Sequence, residues 1–237
     1  MIITPYGIFF GLAILTSFSI IGSFDYKLIF IIIISFIIQS KLCKTCNNQY
    51  TLASHLSVLP LLLLLIPDCY KLKNIFVAFA IGSFIGRIGC YYVGCCSGNE
   101  CSKNTPFGIN YRNDHFINKK YNKPNITVYP TIFIELISQL IIAIIVYKSE
   151  YGVALYGILN MLLIYFSNYW RMEKRMGFNK NMPIYSLLIF SFLAIYKCGK
   201  VGNYNLTYNI KTPFIVFAVL VTIMTSNDIN FNTLKSF

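Results

Sequence analysis

Arg87 stands in the run Gly86-Arg87-Ile88-Gly89-Cys90-Tyr91-Tyr92-Val93-Gly94-Cys95-Cys96-Ser97-Gly98, which begins inside an apolar segment and ends in a polar loop. A charged side chain at membrane depth costs roughly 2.5–3.5 kcal/mol on insertion scales, so it marks a functional site by default. Arginine carries a permanent charge on a planar fork that suits phosphate or carboxylate. Gly86, Gly89, Gly94 and Gly98 around it let a backbone or a lipid headgroup come close. The chemistry this run suits is the binding of an anion within the membrane.

Other residues extend that chemistry. Glu135 follows Tyr129-Pro130-Thr131 near the start of an apolar segment. Its carboxylate can orient Arg87 or hold a substrate hydroxyl, or it can sit favourably at a helix N-terminus. His55, in Ala53-Ser54-His55-Leu56-Ser57, is a candidate general base; the alternative is a hydrogen-bonded histidine at the membrane interface. His115 falls in a polar loop, where solvation is expected. Asn160 is a polar group in an apolar segment and needs a partner, either substrate or a neighbouring helix. Cys43 and Cys46 form a C-x-x-C pair, and Cys90, Cys95, Cys96 and Cys101 form a denser group. Zinc or dithiol chemistry is compatible with such a pair, but no second pair stands at ligand spacing. A disulfide within 90–101 and simple packing of small apolar side chains are the other readings. Packing is the expected outcome, and no metal site is assigned.

These residues are carried by a very apolar chain. Of 237 residues, 56% are hydrophobic and only 12% are charged, against about 25% charged in a soluble domain. Eight apolar segments stand at about 7–24, 27–40, 52–66, 74–96, 130–147, 152–170, 183–197 and 212–226. A full span takes about 20 residues, so the second, third and seventh are short, and Pro60 predicts a kink or break in the third. The expected fold class is an all-α polytopic membrane protein. It is a seven- or eight-helix transmembrane bundle with a small extramembrane head, one integral-membrane domain over 1–237. The 97–129 stretch forms the head or lid, in which Thr105-Pro106-Phe107-Gly108-Ile109-Asn110-Tyr111 predicts a turn and a short strand. No cleavable signal peptide is read at the N-terminus, and the first segment is expected to be a retained helix.

Net charge is +12, and the cations sit in loops, where they anchor to anionic headgroups. No compact basic domain is present to bind nucleic acid. If all eight segments span, the loops 41–51, 97–129 and 171–182 share one side and carry about +2, +3 and +3, against about +4 for the opposite loops together. The positive-inside rule then turns the 97–129 loop toward the cytoplasm.

Gly86-Arg87-Ile88-Gly89 followed by Gly94 and Gly98 resembles the signature of the prolipoprotein diacylglyceryl transferases, in a branch written with Gly-Cys-Cys. Thr105-Pro106-Phe107-Gly108-Ile109 is similar to that family's Pro-Trp-Gly segment. Tyr129-Pro130-Thr131 with Glu135 is similar to its Arg-His-Pro-x-Gln-Leu-Tyr-Glu motif, and Leu155-Tyr156-Gly157 to its Leu-Tyr-Gly…Arg motif. The likeness runs from about residue 75 to 197.

The resemblance implies a seven-helix membrane fold and transfer of a diacylglyceryl group from phosphatidylglycerol to the thiol of a prolipoprotein lipobox cysteine. It makes Arg87 the phosphate-binding arginine and places Tyr156 at the active site. His55 and Glu135 are carried with them as catalytic candidates. Gly86, Gly89, Cys90, Gly94, Cys95, Gly98 and Asn160 are carried as substrate-binding candidates. No metal or organic cofactor is implied, and the membrane is a bacterial-type plasma or inner membrane. The pattern also departs from the family. Cys90 and Cys95 stand where the signature has an asparagine and an acid. Val128, Tyr129 and Ile132 replace its Arg, His and Gln. Asn160 occupies the place of a second arginine, and Ile164 that of a carboxylate. The family's site opens outside the cytoplasm, against the charge count, and the expected orientation follows the family. Two other functions compete: a phospholipid-binding protein without turnover on the same scaffold, and a membrane thiol or metal protein.

Overall fold

A computed structural model describes residues 5–21, 26–45, 52–94, 97–111, 117–118, 122–123, 125–172 and 182–202. Among these residues the fold is seven helices and one small sheet. The helices are α1 (Pro5–Ile21), α2 (Tyr26–Thr45), α3 (Leu52–Leu63), α4 (Cys69–Val93), α5 (Thr131–Lys148), α6 (Gly152–Trp170) and α7 (Met182–Cys198). The strands β1 (Ile109–Tyr111) and β2 (Ile126–Val128) pair antiparallel, with Asn110 opposite Thr127. By length and composition, α4, α5 and α6 are each long and apolar enough to cross a membrane. The segment at 212–226 lies outside the described residues.

α4 is the central helix, 25 residues long. The Asp68 carboxylate opens it by accepting from the backbone N–H groups of Tyr70 and Lys71, which satisfies donors the helix itself cannot. Gly94 closes it in the left-handed conformation, φ 74°, and donates its N–H to the carbonyls of Cys90 and Tyr91. α1 and α5 pack on α4, α6 packs on α5 and α7, α7 on α3, and α3 on α2. Small residues permit the closest approaches. A Cβ on Gly82 would lie 2.3 Å from Ser17 Oγ of α1, and one on Gly157 2.2 Å from Ser191 Oγ of α7. Mid-bundle, the fully buried Phe76 packs against Tyr156 at 4.5 Å and Phe190 at 5.1 Å between ring centroids.

α3 ends at Leu63, three residues before the apolar run does. Leu64, Leu65 and Ile66 form three-residue turns back to Leu61, Leu62 and Leu63, and Pro67 cannot continue a helix. Exposed aromatics mark both ends of the bundle: Tyr92, Tyr129, Tyr169 and Trp170 at one, Tyr26, Tyr70, Tyr151 and Tyr196 at the other. Side chains of this kind favour the two membrane–water boundaries.

The two ends are built differently. At the first, residues 97–130 form the head. Its own core of Ile109, Tyr111, Ile117, Ile126, Val128 and Ile132 is covered by Cys90, Tyr91 and Met172. The second end is a clasp. A disulfide joins Cys69, the first residue of α4, to Cys198, the last of α7. The Lys73 ammonium donates to the carbonyls of Val201 and Gly202, and Lys197 to those of Leu64 and Ile66. The Val201 N–H donates to the Glu150 carbonyl at 2.7 Å. A disulfide within 90–101 is one reading of the cysteines; among the described residues the disulfide joins Cys69 to Cys198 and Cys101 is a free thiol, while Cys95 and Cys96 of that group lie outside the described residues.

Candidate functional site

At the head end, three charged side chains meet, from α4, from α5 and from the residue that caps α6. Glu135, in the second turn of α5, has no exposed surface. Its Oε2 lies 2.9 Å from Nη1 of Arg87 on α4, and its Oε1 accepts from Nη1 of Arg171 at 2.6 Å. The arginine side chains are 14% and 4% exposed. A lone buried carboxylate would be strongly disfavoured, and two guanidinium partners make it tolerable. The cluster carries one net positive charge, held in a fixed geometry before any ligand arrives.

Each member has a local reason to be there. Arg87 falls on the face of α4 turned toward α5. Beside it, a Cβ on Gly86 would meet nothing within 4 Å among the described residues. Arg171 ends α6. Its extended backbone pairs with Gly98 across a bridge, while the neighbouring Asn99 and Met172 N–H groups donate to the carbonyls of Trp170 and Ser97. The head strand 97–101 therefore lies between the end of α6 and β2, which it meets at Glu100 and Val128. Gly98 sits at the tightest point of that seam. A Cβ there would lie 2.4 Å from the Tyr129 carbonyl and 2.5 Å from Thr131 Oγ1.

A second polar layer lies one turn further along α5. Gln139 Nε2 donates to Asn160 Oδ1 at 2.9 Å, and Asn160 Nδ2 donates to the Tyr156 carbonyl at 2.9 Å. Asn160 thus has helix partners, as the inter-helix alternative required. Tyr156 is 3% exposed and rests on Phe76. From Phe76 to Arg87 is eleven residues, about 16 Å of helix rise, so Tyr156 is not brought to the charged cluster. Cys90 packs against the head core, Gly89 is buried, and Gly94 caps α4. His55 falls in α3, with its side chain outside the described residues, as are Cys95, Cys96, His115 and the side chain of Cys43. Among the described residues no group of three His, Cys, Asp or Glu side chains clusters as metal ligands.

Arg171 is the residue that sequence reasoning missed. From sequence it reads as a residue at the far end of the 152–170 segment and as one cation of the 171–182 loop, with no role in the site. Its signal is its place: it is the first residue after an apolar segment that carries no other charge, so its side chain can turn back into the bundle.

The comparisons fit this geometry. Residues 68–153 match the family model described as prolipoprotein diacylglyceryl transferase, a stretch that spans α4, the head and α5 and includes Arg87 and Glu135. Tyr156, Asn160 and Arg171 lie beyond it. No curated protein and no solved structure matches the chain. Through residues 68–153, which build the head and two sides of the charged cluster, the chain is similar to the prolipoprotein diacylglyceryl transferase family.

Proposed function

We propose that the protein is a multi-pass membrane transferase of seven or eight spans that moves a diacylglyceryl group from phosphatidylglycerol to a cysteine thiol of a prolipoprotein. The observation that carries this reading is the pair of arginines held on one buried carboxylate within a few residues of the open face of Gly86. The lipid phosphate binds at the guanidiniums of Arg87 and Arg171. The thiolate sulfur then attacks the glycerol carbon that bears the phosphate. The carbon–oxygen bond breaks, a thioether forms, and glycerol phosphate leaves with the bonding pair. Negative charge grows on the phosphate oxygens during that step, and fixed cations in a dry site favour it. Glu135 keeps both arginines in position, so little reorganisation is needed. The thiol proton must go to a base, and His55, near the head-side start of α3, is our candidate.

A specific observation favours a second reading. Where the family has a second arginine and a carboxylate, this chain has Asn160 and Ile164, and the Asn160 amide is engaged by Gln139 and the Tyr156 carbonyl. A protein so altered can bind phosphatidylglycerol without turning it over. One experiment separates the two: the purified chain with labelled phosphatidylglycerol and a lipobox peptide. Thioether product that is lost in Arg87→Ala supports the transferase. Lipid retained by the wild-type chain without product, beside an active control enzyme, supports the binder.

A further inference from the structure

We propose that Gln139 is a specificity residue of the site, whose amide oxygen accepts a hydrogen bond from a hydroxyl of the lipid headgroup. This deepens the transferase reading and rests on its first step, the binding of a lipid phosphate at Arg87 and Arg171. Gln139 is 7% exposed and Asn160 1%. Which end of each amide carries the oxygen follows from the bonds they make. The Tyr156 carbonyl can only accept, so the Asn160 group 2.9 Å from it is the amide nitrogen, Nδ2. Asn160 Oδ1 then faces Gln139, and the Gln139 group 2.9 Å from it is in turn Nε2. One helix carbonyl sets the polarity of the whole chain of bonds.

The atom left over is Gln139 Oε1, which can only accept. It is buried, and among the described residues no donor reaches it. Buried polar atoms are nearly always paired, and an unpaired one is costly. A donor brought by a ligand recovers that cost. Gln139 also stands where a ligand of the arginines would extend. It lies one turn after Glu135 on the same face of α5, about 6 Å further along the helix.

The chemistry of the headgroup follows. A lipid keeps its acyl tails in the bilayer, so a phosphate drawn to buried guanidiniums turns its headgroup into the bundle. A glycerol headgroup is long enough to cross one helical turn, and its hydroxyls are donors. An ethanolamine headgroup is a donor as well, but it is a cation beside a cluster that already carries net positive charge. An anionic lipid whose headgroup has no hydroxyl satisfies the arginines and leaves Oε1 unpaired. Charge selects an anionic lipid, and Gln139 selects a hydroxylated headgroup among them.

The test is lipid retention by the purified full-length chain, offered either phosphatidylglycerol or phosphatidylpropanol. The second has the same phosphate, the same tails and a headgroup of the same length without hydroxyls. Wild type retains phosphatidylglycerol about tenfold or more over phosphatidylpropanol, because the analogue leaves Oε1 unpaired. In Gln139→Met that ratio falls to about one. Both lipids meet the same preparation, so the ratio cancels any loss of folded protein, and the wild-type comparison needs no variant at all. Equal retention of the two lipids by wild type overturns the role of Gln139, and so does a ratio that survives Gln139→Met. In either case, retention that is lost in Arg87→Ala leaves the phosphate site standing. Wild type that retains neither lipid is a different failure: the phosphate site itself is then refuted, and the headgroup contact falls with it.

Discussion

Arg171→Met keeps a long apolar stem at the end of α6 and removes its charge. Glu135 is wholly buried, and Arg171 is its closer and more deeply buried partner, at 2.6 Å against 2.9 Å for Arg87. Removing one partner of a buried ion pair costs about 3–5 kcal/mol. Arg87 still faces the carboxylate in this variant, which puts the expected cost near the lower figure, about 3 kcal/mol. In a domain of this size each kcal/mol lowers Tm by about 2–4 °C, so the drop is about 6–12 °C. Glu135→Gln removes the group that both arginines share and lowers Tm at least as far. The double variant is less destabilised than the sum of the two singles, with a coupling of about 1–3 kcal/mol. Thermal unfolding of the four purified proteins in one detergent, followed by helical circular dichroism, measures the cycle. An Arg171→Met protein within about 1 °C of wild type, or a double variant that is simply additive, refutes the claim that Arg171 and Glu135 form a buried pair, since changes at unpaired surface positions cost no more than about 0.5 kcal/mol.

Two glycines of α4 separate packing from ligand space. Gly86→Leu fills an open region and changes stability by no more than about 0.5 kcal/mol, yet reduces retained phosphatidylglycerol about tenfold or more, the equivalent of about 1.4 kcal/mol; Gly82→Leu strikes Ser17 and Ala13 of α1 and destabilises by about 1–3 kcal/mol. Equal lipid retention by Gly86→Leu and wild type counts against an occupant beside Arg87. Gly98→Ala places a methyl group against the Tyr129 carbonyl and costs about 1–3 kcal/mol, read as faster limited proteolysis within 97–130; wild-type cleavage rates contradict the seam described for the head.

The helices were legible because membrane spans announce themselves by length. Apolar runs at 74–96, 130–147 and 152–170 correspond to α4, α5 and α6 within a few residues, and Pro67 explains the early end of α3. The strand at Ile109–Tyr111 was also readable from its turn. Its partner at Ile126–Val128 was not, because three residues before Tyr129-Pro130 carry no alternation long enough to count. What the sequence left hidden depends on contacts across the chain. Cys69 and Cys198 are 129 residues apart, while the cysteines crowded at 90–101 drew attention by proximity alone. Glu135 was open to several roles because its partners come from both flanking helices. Arg87 could be paired with it on paper, but a second arginine 36 residues further on could not.

Arg171 belongs to the head by its backbone and to the site by its side chain. The bridge to Gly98 and the bond to Glu135 hang from one residue. Lifting the head strand 97–101 off the bundle therefore drags a cation away from the buried carboxylate. The head is tethered to the electrostatics beneath it. Under the proposed transferase function, a polypeptide that wedged under the head would work against that tether, and a lipid phosphate at the guanidiniums would hold it taut. On that proposal, access from the aqueous side and occupancy from the bilayer side would be opposed through a single arginine, which bridges to Gly98 and bonds to Glu135.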